Sequence, residues 1–220
     1  MRLTRSSRHR SRIAAAAVSI AALVGFCLLV SPSLAHQLDP NPANDRELLG
    51  AKLDPVRYDG ADGCVRREPK GMKALIRFMK RNTRKNVVYG TIRCDGSGVH
   101  ETGRALDWML DARIKADKRL AMTVINTWMA DDKRGRANAL ARRMGVQMII
   151  YRCRYWQAGD NGWNPYSDCS NPTAGHIDHV HIELTKPASK LETSFWRSSV
   201  GAEYTGKAGD GDGSSGGIGA

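Results

Sequence analysis

Apolar residues recur along the middle of the chain with two different spacings, which predict helices in some segments and strands in others. Apolar residues three and four positions apart predict three helices, over residues 70–81, 117–130 and 136–144. Runs of β-branched residues and alternating apolar positions predict four strands, over residues 86–93, 104–110, 146–151 and 179–184. This mixture predicts an α+β domain in which helices pack on one face of a mainly antiparallel sheet.

The start of the chain has a different pattern. Five arginines and no acidic residue precede the uncharged apolar run 13–30, and small residues follow it up to Ala35. This order is typical of a secretory signal peptide, so we expect residues 1–35 to be removed by cleavage after Ala35. An uncleaved membrane anchor is the alternative, because the run of 18 residues reaches the lower limit of spanning length.

Polar segments flank the patterned region. Residues 36–55 are rich in Asp, Asn and Pro and predict a linker, whereas the Gly-rich residues 201–220 predict a disordered tail. The folded domain is therefore expected over residues 56–200. With 41% hydrophobic and 25% charged residues, the composition excludes a collagenous, largely disordered or multi-span membrane protein.

The chain is basic, with a formal net charge of +12. Without the five arginines of the predicted leader, 29 basic residues remain against 22 acidic ones, which is a charge of +7. A charge of this sign favours weak attraction to an anionic partner, such as a cell-wall polymer, nucleic acid or an anionic membrane surface. A solvated basic surface without a partner is the alternative.

Cysteine usage agrees with export. Cys27 lies in the predicted leader, and the other four cysteines are Cys64, Cys94, Cys153 and Cys169. An even number in an exported chain predicts two disulfides, and of the three possible pairings we expect the most local, 64 with 94 and 153 with 169. The aromatic-rich loop between the last two cysteines either walls a substrate cleft or forms a satellite hydrophobic cluster.

Three of the six histidines lie within six residues, at His176, His179 and His181. Because residues two apart on a strand share a face, His179, His181 and Glu183 would point one way and the apolar residues between them into the core. A row of imidazoles on one rigid face suits Zn²⁺, since neutral imidazole binds this ion well.

A second pair of candidate ligands, His100 and Asp107, lies in and just after a glycine-rich turn segment. Together with a distant histidine they would make three protein ligands, the number that catalytic zinc sites commonly use while one position stays open for water. Two neutral imidazoles and one carboxylate leave the ion a positive charge with which to acidify that water.

These motifs resemble the zinc D,D-peptidase and hedgehog amino-terminal domain superfamily, which includes D-alanyl-D-alanine carboxypeptidases and murein endopeptidases. The resemblance rests on His-x6-Asp, followed downstream by Asp-x-x-His within His-x-x-His-x-His. Segments 101–108, 141–146 and 178–181 resemble one exported actinobacterial branch of it. The resemblance covers about residues 57–197 and implies a hedgehog/D,D-peptidase-like α+β fold.

The resemblance also implies roles for individual residues. The zinc ligands would be His100, Asp107 and His181. Asp178, three residues before the last ligand, would be the general base that takes a proton from the attacking water. A carboxylate that orients a histidine is the alternative role for Asp178.

The same resemblance supplies candidates for the rest of the site. His179 and His176 occupy positions where related murein hydrolases carry extra histidines, so they would hold the base or donate to the oxyanion. An upstream cation stabilises the oxyanion in the family. Arg93 is our candidate for it, with Arg84 second.

The implied activity is that of an exported, zinc-dependent amide hydrolase acting on peptidoglycan or its stem peptides, as a D,D-carboxypeptidase or an endopeptidase. We expect a secreted or cell-wall-associated monomer that binds no nucleic acid and keeps no membrane span after leader cleavage. A non-catalytic, zinc-stabilised wall-binding or signalling module is the alternative, since it would keep the same ligands. A nuclease is disfavoured, because one His/Asp/His site lacks the second metal common in such enzymes.

Overall fold

A five-stranded antiparallel sheet organises the part of the chain that the computed structural model describes, residues 41–55, 57–83 and 92–206. The strands lie in the order β1-β5-β2-β3-β4. Their bounds are β1 Ala105–Trp108, β2 Val146–Tyr151, β3 Arg154–Gln157, β4 Asn164–Pro165 and β5 Val180–Leu184. The helices are α1 Arg46–Gly50, α2 Lys70–Thr83, α3 Lys115–Met129, α4 Ala139–Met144, α5 Lys186–Ser189, α6 Ser194–Arg197 and α7 Ser199–Ala202.

Alternation along the strands separates an apolar face from a polar face. Val180, Ile182 and Leu184 of β5 enter the hydrophobic core, whereas His181 and Glu183 point to the opposite side. Neighbouring strands add four more side chains to the same core: Leu106, Trp108, Ile149 and Tyr151. The helices cover this face and supply further core residues, among them Met72, Leu75, Ile125, Trp128, Leu140 and Met144. The predicted α+β class, with helices on one face of an antiparallel sheet, is confirmed.

The register of the central strands aligns the candidate ligands. Asp107 of β1 lies directly opposite His181 of β5, and Ile150 of β2 lies opposite His181 on the other side. Directly opposite residues of an antiparallel pair have side chains on the same face, a few ångströms apart. The polar face of the sheet therefore brings two distant parts of the sequence together.

The predicted elements match the structure well in the middle of the chain. The helix over 70–81 is α2, the one over 117–130 is α3, and the one over 136–144 is reduced to α4. The strands over 104–110, 146–151 and 179–184 are β1, β2 and β5. Most of the predicted strand 86–93 lies outside the described residues, and its described end, Ile92 and Arg93, is not in a strand. The pattern missed the short strands β3 and β4.

The folded region extends further than predicted at both ends. Within the predicted linker, Ala43 and Leu48 are fully buried in the core, and Asn41 and Asp45 cap short helical turns. Beyond residue 200, Tyr204 is buried against Phe78. A few apolar anchors in polar sequence suffice to dock these segments. The predicted leader, 1–35, and the rest of the predicted tail, 207–220, lie outside the described residues.

The cysteines pair as expected. Cys64 is bonded to Cys94 and Cys153 to Cys169, with a Cα–Cα distance of 5.7 Å in each pair. The second disulfide closes the loop that carries β4 and the aromatic residues.

No helix among residues 41–55, 57–83 and 92–206 has the length and apolar character needed to cross a bilayer.

One close helix contact gives a test of the packing. A Cβ on Gly71 of α2 would overlap the carbonyl oxygen of Ala188 in α5, a backbone atom that cannot move aside cheaply. We expect Gly71→Ala to lower the free energy of unfolding by about 1–3 kcal/mol or more, as overpacking does. Gly50→Ala is the matched control, because its Cβ would meet nothing within 4 Å. Equal urea midpoints for the two variants would show that α2 and α5 do not pack this closely.

Candidate metal centre

Three buried side chains form a compact group on the polar face of the sheet. The Nε2 atom of His100 lies 3.2 Å from Nδ1 of His181 and 3.3 Å from Oδ1 of Asp107, and the last two atoms are 3.1 Å apart. All three residues are at least nine-tenths buried. The structure therefore brings together the three residues that the sequence predicted as metal ligands, and they could hold a metal ion.

Local structure explains why these atoms converge. Asp107 and His181 are neighbours across β1 and β5, so the sheet register sets their separation. His100 reaches them from a short 3-10 turn, Gly98–Thr102, that ends at Gly103 in a left-handed conformation with φ +63°. A side chain at that position would be strained and would meet Pro69 at 2.7 Å, which is why the turn needs glycine there.

The spacing of the three atoms suits a tetrahedral ion. Zinc–nitrogen and zinc–oxygen bonds of about 2.0–2.1 Å imply ligand–ligand separations of about 3.3 Å in a tetrahedron. The observed separations of 3.1–3.3 Å agree with this value without any rearrangement. Two imidazole nitrogens and one carboxylate oxygen are also a donor set that zinc accepts. The residues present fit the ion.

The charges in the group are strongly coupled. Burial opposes ionisation of Asp107, but hydrogen bonds from His100 and His181 outweigh it and hold the pKa of this carboxyl well below its usual range. Burial likewise opposes the charged form of His181, yet hydrogen bonds to Asp107 and Glu183 raise its pKa to about 9 in the metal-free protein. The carboxylate is therefore ready to bind a cation, whereas His181 must first lose a proton.

Outer partners hold two of the three ligands. Arg93 places NH1 3.0 Å from Oδ2 of Asp107, which leaves Oδ1 for the group of three. Glu183 lies on the far side of His181, with Oε1 3.0 Å from Nε2 of the ring. Arg93, predicted as an oxyanion donor, is thus found paired with the carboxylate ligand. Arg84, the second candidate, lies outside the described residues.

Asp178 and His179 form a pair at the edge of this group. Oδ1 of Asp178 is 2.6 Å from Nδ1 of His179, and its Oδ2 accepts a hydrogen bond of 2.7 Å from Thr173. These hydrogen bonds outweigh burial and lower the pKa of Asp178, so it is ionised at neutral pH. The other nitrogen of His179 lies 3.6 Å from Oδ1 of Asp107. His179 thus stands between the candidate base and the ligands.

His176 borders the same group. Its Nδ1 is 2.9 Å from the carbonyl oxygen of Ala174, and its ring centroid is 4.7 Å from that of His179 and 5.0 Å from that of Tyr166. Burial, together with electrostatic repulsion from the neighbouring imidazoles of His181 and His179, lowers its pKa to about 4. At neutral pH His176 is a neutral side chain in the wall of the site.

A cleft of about 330 Å³ opens onto the ligands. His100, His181, His176 and Arg93 line it, and other residues of its wall include Tyr58, Met148, Ile150, Tyr166 and Glu183. Alternation along the last strand put Glu183 on the face of His181, and the aromatic loop supplied Tyr166, but no local signal pointed to Tyr58, Met148 or Ile150. Of the aromatic loop, Tyr166 walls the cleft, whereas Trp156 of β3 is part of the core.

The fold and the site thus define an α+β domain with a candidate three-ligand metal centre in an open cleft. Residues 64–177, slightly more than half of the chain, match the family model described as VldE, C-terminal domain, and the chain belongs to this family. The matched segment contains His100 and Asp107 and ends shortly before His181. No curated protein and no solved structure matches the chain.

Proposed function

We propose that the protein is an exported zinc-dependent amide hydrolase that cuts stem peptides or cross-links of peptidoglycan, in the manner of a D,D-carboxypeptidase or an endopeptidase. The observation that carries the proposal is the buried triangle of His100, Asp107 and His181 at the wall of an open cleft. The sequence resemblance to zinc D,D-peptidases supplies the reaction class and the substrate.

Zinc is the proposed occupant of the triangle. Nε2 of His100, Oδ1 of Asp107 and Nδ1 of His181 would hold it, and the cleft would give access to its remaining side. A zinc ion held by three protein ligands supplies Lewis-acid chemistry, because it acidifies water and polarises a carbonyl group.

Side chains of the protein would accept the proton that the attacking water releases. His179 is the proposed acceptor, because its Nε2 atom faces the ligands and its Nδ1–H donates to the ionised Asp178. Asp178 itself has both oxygens engaged, by His179 and Thr173. In this arrangement Asp178 holds the orientation of His179 and stabilises its charged form, whereas the resemblance makes Asp178 the base.

Arg93 would act on the other side of the site. Its NH1 atom aligns the carboxylate of Asp107, and the side chain also lines the cleft. Any donation to a developing oxyanion would come from the two other guanidinium nitrogens, Nε and NH2.

Export and a wall substrate are part of the same proposal. Two disulfides favour an oxidising compartment outside the cytoplasm. The +7 charge that remains without the first 35 residues would help retain the protein on anionic wall polymers.

The direct test is a digest of purified peptidoglycan, separated and weighed by mass spectrometry. We expect cross-linked muropeptides or stem-peptide ends to be shortened in the presence of zinc and to stay intact when a chelator is present. A protein that binds zinc and leaves every muropeptide unchanged would refute the hydrolase and support the non-catalytic wall-binding or signalling module.

The pH dependence of metal binding follows from His181. Its pKa of about 9 lies above the ordinary 6.5, so below about pH 9 the metal must displace one proton. We expect the apparent zinc affinity to rise about tenfold per pH unit from pH 6.5 and to level off near pH 9. The stability of the metal-free protein changes in the opposite direction. Its free energy of unfolding falls as the pH rises from about 6.5 to about 9, because the folded protein then loses the proton that His181 holds. Chelator competition across the range measures the slope, and a flat profile would contradict a protonated His181.

A further inference from the structure

We propose that Glu183 is a positioning residue that fixes His181 in the tautomer able to bind metal, and that Gln147 fixes the polarity of this hydrogen-bond chain. The inference rests on the proposed metal centre, because it assigns a task to residues behind one of its ligands. It concerns metal affinity and does not depend on whether the protein hydrolyses an amide.

The geometry of His181 sets the requirement. The ring faces the other two ligands through Nδ1, and its Nε2 faces Glu183 at 3.0 Å. A neutral imidazole carries one N–H and one free lone pair, so Nδ1 can bind metal only if the proton is on Nε2. A carboxylate cannot donate, so Glu183 accepts a hydrogen bond from Nε2–H and favours the required tautomer. The opposite tautomer would donate from Nδ1 to Asp107, whose charge Arg93 already pairs.

A second buried residue, Gln147, requires the side chain at position 183 to accept a hydrogen bond. Nε2 of Gln147 donates to Oε2 of Glu183 at 2.9 Å and to the carbonyl oxygen of Asp59 at 3.0 Å. Oε1 of the same amide accepts a hydrogen bond of 2.9 Å from the N–H of Asp59. Gln147 is fully buried, so turning its amide over would forfeit its hydrogen bonds with the Asp59 backbone. It therefore presents donors, and only donors, to position 183.

This fixed donor makes an isosteric substitution informative. In Glu183→Gln, the new amide oxygen must face Gln147, and its NH₂ group must then face Nε2 of His181. Nε2 would have to accept, which moves the ring proton to Nδ1 and blocks the metal position. We expect the zinc affinity to fall about 10–100-fold, the usual effect of losing the outer partner of a metal-bound histidine.

Reversing the two residues separates hydrogen-bond polarity from the loss of charge. In Gln147→Glu/Glu183→Gln, the carboxylate at 147 accepts from the amide at 183, whose oxygen can again accept from Nε2–H of His181. The carbonyl oxygen of Asp59 loses the donor that Gln147 gives it, so we expect this variant to be less stable than the natural protein while it regains the tautomer that binds metal. This double variant carries the same net charge as the natural protein, and we expect it to recover at least about tenfold of the lost zinc affinity. Glu203→Gln is the surface control, since Glu203 is 62% exposed and should leave the affinity unchanged.

The closing experiment combines zinc affinity by chelator competition with ¹⁵N NMR of the His181 imidazole in the metal-free protein at about pH 10, above the pKa of this residue. We expect the proton of His181 on Nε2 in the natural protein and on Nδ1 in Glu183→Gln. The zinc affinity of Glu183→Gln should be about 10–100-fold lower than that of the natural protein. A natural protein with the proton on Nδ1, or a folded Glu183→Gln variant with unchanged affinity, would overturn the inference. The NMR measurement on the natural protein needs no variant to fold, and neither readout depends on peptidoglycan cleavage.

Discussion

Asp107→Asn is expected to abolish tight metal binding. Asp107 is the only anion of the group of three, and its Oδ1 is the atom shared at 3.1 Å and 3.3 Å with the two imidazoles. Because Arg93 donates to the other oxygen, the asparagine would turn its carbonyl oxygen toward Arg93 and its NH₂ group toward the metal. We expect the affinity to fall by more than the roughly 10–100-fold that loss of an outer partner costs.

Metal content after dialysis, measured by mass spectrometry, checks this result. Asp111→Asn is the control, because Asp111 lies close in sequence but pairs with Arg113 at the surface. Equal zinc content in the natural protein, Asp107→Asn and Asp111→Asn would mean that any bound zinc sits elsewhere.

His179→Gln is expected to have the largest effect on turnover. With its Nε2 facing the ligands and its Nδ1 held by Asp178, His179 is the group placed to take the proton, and loss of such a group typically lowers kcat by about 10²–10⁴. Zinc binding should change little, since His179 is outside the group of three. Asp178→Asn should lower kcat less, because His179 keeps its place and loses only its carboxylate partner.

The two substitutions together distinguish the candidate bases. Rates on a defined cross-linked muropeptide, with zinc content determined in the same samples, give the comparison. If Asp178→Asn or Asp178→Ala removes activity while His179→Gln retains it, the proton goes to Asp178, as the sequence resemblance implies.

The metal ligands could be predicted from the sequence because each lies in a recognisable pattern. His181 and Glu183 lie on a strand of strict alternation, so their common face follows from the strand period. Asp107 falls on the neighbouring strand, and family spacing linked it to His100. Pairing of β1 with β5 then brings the ligands together, because the register places Asp107 opposite His181.

The pairing of Asp178 with His179 was one of the options that the resemblance implied, but the strand period could not predict it. Asp178 and His179 precede β5, in a bend where the strand period does not apply. Their directions depend on Thr173 and on the loop closed by the second disulfide. Contacts of this kind are set by tertiary packing.

The contacts of Gln147 and the docking of segments 41–55 and 201–206 could not be predicted from the sequence for a similar reason. Gln147 interrupts an apolar strand, and only the fold shows that it meets Glu183 and the backbone of Asp59. Segments 41–55 and 201–206 are mostly polar in sequence, yet single apolar side chains such as Leu48 and Tyr204 enter the core and dock them. A sparse apolar pattern carries too little periodicity to predict docking.

Anomalous diffraction at the zinc edge, from crystals of the zinc-loaded protein, tests the central claim most directly. One zinc ion is expected at about 2.0–2.2 Å from Nε2 of His100, Oδ1 of Asp107 and Nδ1 of His181. A zinc-saturated crystal whose anomalous peaks all lie away from these three atoms would contradict it.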